Sequence, residues 1–344
     1  IAAIRAHHAL TNRDIPRVVQ MANKAIDFLP EGDYMRCEAA VALGGAYWSE
    51  GDVKASEAAF SQGRSTALLS GYQPLAVPSA CYVAMQQTKQ AHLHNAHDTY
   101  REALVWATGA SNRLLPVAGF PLIKLGDLSR EWNDLEAAER DISHGIELCK
   151  QLGQADVLAE AYVMRARLEL AQGKLDQVSG SLDQVDGITR RVNIDPWIAS
   201  WADDCRLEMW LRTGNESALD RWLEQNGPRL DADLDYQRDL DHLQLVRVMI
   251  ARCSVGSKEL DPSVWQLLGR LLEASRRAGW THKEIAIRVL KALALDSAGN
   301  REQALEEIGH ALKLAEPGGY VRIFCSEGDP MADLLHQAFR GGLA

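Results

Sequence analysis

The side chains best suited to chemistry in this sequence are a histidine cluster, six cysteines, and carboxylates interleaved with arginines and tryptophans. His92, His94 and His97 lie close together, and His94 with His97 has a spacing that can turn two imidazoles toward one metal. They straddle an expected turn, however. No cysteine is near them and the neighbouring carboxylates, Asp98 and Glu102, are poorly placed, so they are read as solvated or turn-capping histidines and no metal is expected. The cysteines Cys37, Cys81, Cys149, Cys205, Cys253 and Cys325 stand singly, without the C-x-x-C pairing of a zinc cluster or a redox dithiol. Such isolated thiols fit a reducing, cytoplasmic compartment. Neither a G-x-S-x-G nor an H-E-x-x-H pattern occurs, and Asp203-Asp204 and Glu306-Glu307 look like ordinary helix-surface charge. These residues point to binding rather than catalysis, with no cofactor in this segment.

The elements that would position these side chains are helical. With 344 residues, the chain exceeds one compact core and must form several domains or an elongated repeat array. Hydrophobic residues make up 47% and charged residues 24%, and no apolar run is long enough to cross a bilayer, so no membrane role is expected. The net charge of -10, from 37 basic and 47 acidic residues, disfavours direct contact with nucleic-acid phosphates. The chain starts Ile1-Ala2-Ala3-Ile4-Arg5 without an initiator Met or a charged-then-apolar leader, and it reads as a piece of something longer.

Turn signals recur at Arg13-Asp14, Gly51-Asp52, His94-Asn95, Asn133-Asp134, Gly173-Lys174, Gly214-Asn215 and Gly299-Asn300, and a degenerate turn near Gly256-Ser257 fills the one double-length gap. A period near 40 residues is the mark of a helical solenoid. Each turn separates two Ala- and Leu-rich stretches at helical spacing, with small residues such as Gly44, Ala46, Ala58, Ala166, Ala304 and Ala311 where helices approach. Prolines including Pro78, Pro116 and Pro121 are expected between hairpins. The expected fold is all-α: a single right-handed superhelix over 1–344 of about eight tetratricopeptide-like helical hairpins, with an irregular connection at 226–262.

Aligning each hairpin on its turn projects part of every first helix onto the inner, concave wall where such arrays bind ligands. The projection nominates Phe120, Asp127 and Arg130, then Glu160, Val163 and Arg167, then Trp201, Asp204 and Glu208. Aromatic faces beside carboxylates and arginines suit a polar organic ligand or, equally, a partner peptide.

Four stretches carry a more specific signal: Glu131-Trp132-Asn133-Asp134-Leu135-Glu136-Ala137-Ala138-Glu139, the pair Arg221-Trp222, Gln244-Leu245-Val246-Arg247-Val248, and Ala315-Glu316-Pro317-Gly318-Gly319-Tyr320-Val321-Arg322-Ile323-Phe324, which runs on into Glu327-Gly328-Asp329-Pro330-Met331. Together they resemble the central sensor domain of the large ATP-dependent LuxR-type transcriptional regulators, the MalT-like group. The resemblance covers nearly the whole chain. It implies a module that binds a small-molecule effector, controls self-association, and passes the signal to neighbouring domains. No G-x-x-x-x-G-K-[ST] loop and no C-terminal helix-turn-helix are present, so ATP and DNA contacts are expected only in domains outside this segment. No sugar-binding constellation can be carried over. The alternative, from another class, is an interaction scaffold for a partner peptide or regulatory protein.

Overall fold

In the computed structural model, which describes residues 1–71, 73–226, 241–256 and 260–342, helices form from the repeating Ala- and Leu-rich stretches throughout. They are α1 (Ala2–Thr11), α2 (Ile15–Phe28), α3 (Tyr34–Ser49), α4 (Val53–Leu69), α5 (Gln73–Lys89), α6 (Leu93–Trp106), α7 (Gly119–Glu131), α8 (Leu135–Leu152), α9 (Ala155–Ala171) and α10 (Leu175–Thr189). These are followed by α11 (Pro196–Thr213), α12 (Glu216–Asn226), α13 (Asp241–Gly256), α14 (Pro262–Ala278), α15 (Thr281–Ser297), α16 (Arg301–Ala315), the short α17 (Arg322–Cys325) and α18 (Asp329–Arg340). Among the described residues there is no strand, only an isolated bridge between Thr108 and Leu114.

The turns inside the hairpins follow one chemical rule. Gly51 takes a left-handed conformation at φ 80°, its N–H bonds to Trp48 O, and the N–H of Asp52 reaches back to Tyr47 O. This closes the last turn of α3 while Asp52 accepts the Ala55 N–H at 2.9 Å and opens α4. The same stop-and-start unit recurs where Arg13-Asp14 and Asn133-Asp134 join helices, so the second residue of these signals is the cap of the next helix. Gly173, Gly214 and Gly299 are left-handed as well.

Four expectations are corrected or bounded by these elements. The third turn lies at Ala91-His92, not at His94-Asn95: Ala91 is left-handed at φ 64°, and His94 and Asn95 already belong to α6. A non-glycine residue in that conformation leaves no compositional mark. Pro78 sits inside α5 rather than between hairpins, where its missing N–H removes one intrahelical bond. Pro116 opens a short 3-10 turn, and Pro121 lies in the first turn of α7, where its missing N–H costs little. Of the small residues, Ala58 is exposed and Ala59 packs in its place, a one-position error that rotates a helical side chain by about 100°. Ser257 of the expected degenerate turn and residues 227–240 of the expected connection at 226–262 lie outside the described residues, while 241–256 of that connection form α13.

The chain divides into two compact units. One comprises Ile1–Leu128 with Arg140–Ala161, the other Ser129–Glu139 with Tyr162–Ala344. In the first, close approach demands glycine: a Cβ on Gly44 would come within 2.6 Å of the Phe60 ring, and one on Gly119 within 2.8 Å of the Cys149 backbone nitrogen. Alanines at 3, 6, 22, 39, 40, 42 and 46 fill its N-terminal core. In the second, Leu207, Leu219 and Val248 pack with Trp210 and Trp222 between α11, α12 and α13.

A charged clasp in the second unit as candidate functional site

The nominated residues divide between the units. In the first unit Phe120 and Glu160 are buried, at 5% and 2% exposure. Phe120 meets Tyr82 edge-on at 5.8 Å, and Tyr82 stacks on Phe60 at 5.0 Å. Lys124, one turn after Phe120 on α7, places its ammonium 5.9 Å from the Phe120 ring and pairs with the Glu160 carboxylate. Asp127 is half-buried nearby. Burial pushes the Cys81 thiol and the Tyr100 hydroxyl well above their ordinary ranges; Lys124 opposes the shift at Cys81, and Glu160 adds to both. This set is an apolar core with one enclosed ion pair.

The second unit brings together most of the other nominees. Arg167 lies over the Trp201 ring at 5.5 Å, and Trp197 meets Trp201 edge-on at 5.0 Å. Val163, one turn before Arg167 on α9, is fully buried. Asp204 accepts from Arg247 at 3.0 Å, and Glu208 pairs with Arg212 one turn along α11. Burial raises the Glu208 pKa above the usual carboxylate value, with Arg212 pulling it down and Asp204 pushing it up. For Arg247 burial acts to lower the pKa, yet the carboxylates of Glu327 and Asp204 outweigh it and leave the guanidinium more basic than usual. Arg130 is buried at the end of α7, 3.3 Å from the Glu131 carboxylate.

The partners of these residues lie in the C-terminal segment. Trp132 Nε1 donates to Gly318 O at 2.9 Å, and the Val321 N–H donates to Glu131 O at 3.3 Å. Glu131 Oε1 accepts the Ile323 N–H at 2.8 Å, and Arg322 Nη1 lies 3.5 Å from Asn133 Oδ1. Arg247 Nη2 donates to Glu327 at 2.8 Å, while Arg212 bonds Leu170 O at 2.7 Å and Ser326 O at 3.4 Å. Tyr320, buried, sits 2.9 Å from His282 Nδ1. The end of α7, Arg212 of α11, Arg247 of α13 and residues 318–327 thus form one hydrogen-bonded clasp, closed across separations of 80 to 192 residues.

Sequence projection found Arg130, Arg167, Trp201, Asp204 and Glu208 but not Glu131, Arg212, Arg247, Arg322 or Glu327. All of the missed residues except Arg212 stand within the family-like stretches, which meet in space: Glu131-Trp132-Asn133 with Gly318 through Ile323, and Arg247 with Glu327. Arg212 was signalled by its position four residues after Glu208. His97 bonds to Asp98 at 3.2 Å, and among the described residues no group of three or more His, Cys, Asp or Glu is arranged to hold a metal. No helix of the described residues is long and apolar enough to cross a membrane.

Helical hairpins at this period, closed by a C-terminal segment, define a tetratricopeptide-like repeat protein. The sequence model of the MalT-like TPR region matches residues 1–340, and the chain belongs to that family. It is 24% identical over 343 residues to the HTH-type transcriptional regulator MalT of Yersinia enterocolitica serotype O:8 / biotype 1B, which covers 97% of this chain and 36% of that protein. The chain therefore spans about a third of that relative's length. A solved structure, that of a Rap protein complexed with Competence and Sporulation Factor, superposes with a TM-score of 0.59 at 13% identity, covering 99% of this chain and 85% of the other.

Proposed function

We propose that this chain is the non-catalytic, effector-sensing region of a MalT-like, LuxR-type transcriptional regulator of the cytoplasm. In this reading the second unit holds a small-molecule effector among Trp201, Arg167, Asp204, Glu208 and Arg247. The observation that carries it is the position of Arg247, which joins a projected ligand residue, Asp204, to Glu327 of the C-terminal segment. A ligand that adds or competes for contacts on Asp204 or Arg247 changes how firmly residues 318–327 are held. Only such a difference in affinity between two arrangements can move their populations. The shifted segment then signals to neighbouring domains and controls self-association. The aromatic and charged side chains supply what a polar organic molecule needs, stacking plus charge-assisted hydrogen bonds.

A thermal-shift screen against metabolites, with calorimetry on each hit, tests this reading, because a ligand that binds only the folded state raises the melting temperature. Trp201→Ala should weaken the binding of a hit with little change in the melting temperature of the free protein. Unchanged affinity with a large loss of stability would return Trp201 to the core. The second reading, a partner peptide or regulatory protein as occupant, draws on the Rap structure, a complex with Competence and Sporulation Factor. It gains if no metabolite binds and a purified partner does.

A further inference from the structure

Besides Arg247, three guanidinium groups belong to the clasp, those of Arg130, Arg212 and Arg322, and the partners available to them are unequally shared. Arg130 has the Glu131 carboxylate, which also accepts the Ile323 N–H. Arg212 has Glu208, with Leu170 O and Ser326 O besides. Arg322 stands between the two in the chain of contacts: Ile323 beside it is tied to Glu131, and Ser326, one turn on, is tied to Arg212. Yet among the described residues Arg322 has no carboxylate within ion-pairing distance, since its single recorded side-chain contact is the long one to Asn133. Its Nε is buried without a hydrogen-bond partner. A guanidinium carries five donors in a planar fork suited to two parallel bonds with one anion. A buried donor left unmade is costly, and arginine stays charged at any physiological pH.

We propose that Arg322, flanked by Arg130 and Arg212, receives an anionic group, a carboxylate or a phosphate, of the effector. The inference rests on the effector reading above and names the chemistry of the ligand. Burial together with the like charges of Arg130 and Arg212 lowers the Arg322 pKa, with Cys325 and Glu208 opposing. A field of that sign is relieved by an incoming anion. Because Arg130 lies at the end of α7, Arg212 on α11 and Arg322 in the C-terminal segment, an anion held here bridges the parts of the clasp and tightens it. The ordinary alternative is an arginine that serves the fold alone, through its contact to Asn133.

The test uses the whole chain with inorganic phosphate and with succinate as probes, each against sodium chloride at matched ionic strength. Melting temperature and calorimetric affinity are read for the wild type, Arg322→Gln, Arg322→Lys, and Arg277→Gln, an exposed control on α14. At least one probe should give a saturable rise in melting temperature that chloride does not reproduce. Arg322→Gln should weaken that binding at least about tenfold, Arg322→Lys less, and Arg277→Gln not at all. Which probe succeeds assigns the anion as phosphate or carboxylate. The proposal is overturned if neither probe binds the wild type saturably, or if the Arg277 and Arg322 variants weaken binding equally. Should Arg322→Gln fail to fold, the wild-type titration and Arg322→Lys decide alone. A neutral metabolite whose affinity falls in Trp201→Ala but not in Arg322→Gln would remove the anion site and leave the effector reading standing. Phosphate binding at Arg322 with no metabolite hit would do the reverse.

Discussion

Replacing Glu327 by Gln removes one of the two carboxylates on Arg247 and probes whether the clasp is held by charge. The Arg247–Glu327 bond is 2.8 Å, with side chains 26% and 12% exposed, and Asp204 remains at 3.0 Å to share the guanidinium. A hydrogen bond to a charged group contributes about 1.5–3 kcal/mol. Since Asp204 persists and some water reaches the site, about 1–2 kcal/mol is expected for Glu327→Gln. Arg247→Met should cost more, about 3 kcal/mol or above, because it leaves Asp204 and Glu327 without their shared cation. The double variant should then cost less than the sum, with a coupling of about 1–2 kcal/mol. In a unit of roughly 190 residues, the loss for Glu327→Gln corresponds to a fall in melting temperature of about 3–6 °C. Denaturant unfolding of the four proteins of this cycle gives the coupling directly, and hydrogen exchange at the Ile323 amide reports whether residues 318–327 loosen before the rest. A coupling below about 0.3 kcal/mol, with Ile323 protected equally in all four, would refute the reasoning that these charges hold the segment.

Three further outcomes can be checked by unfolding measurements. Glu160→Gln should destabilise the first unit by about 3–5 kcal/mol because it leaves Lys124 charged and enclosed, whereas Lys124→Met with Glu160→Met should restore much of the loss; equal losses would show that the pair does not act as a pair. Gly173→Ala should cost about 1 kcal/mol although the added methyl meets open space, since only the left-handed φ of 72° is at stake; no change in midpoint would sink that account. Burial pushes the Glu307 pKa up, but Lys291 and Arg288 outweigh it and leave the carboxyl below its ordinary 4.5. Its folded pKa is depressed, so its contribution is fully present above pH 4.5 and is lost as pH falls below that value. Glu307→Gln should therefore lose stability less steeply than the wild type below pH 4.5, and parallel acid profiles would contradict the assignment.

The hairpin architecture was legible because it is local. Alternating Ala- and Leu-rich stretches set the helices, and Gly51-Asp52 or Asn133-Asp134 each combine a left-handed stop with a side-chain cap inside two residues. Where the same turn was built from Ala91, that signal vanished and the boundary was misplaced by three residues. Part of the site was legible too, since helical periodicity alone put Trp201, Asp204 and Glu208 on one face of α11. The burial of Phe120 and Glu160 was not, because neighbouring helices decide which part of a face reaches solvent. The clasp lay further beyond reach: Trp132 and Gly318, or Glu131 and Ile323, are separated by 186 and 192 residues, and nothing in either stretch specifies the other. Their types were conspicuous in the chain, but their meeting depends on the summed rotations of every intervening hairpin. That sum is a property of packing, and only the tertiary structure decided it.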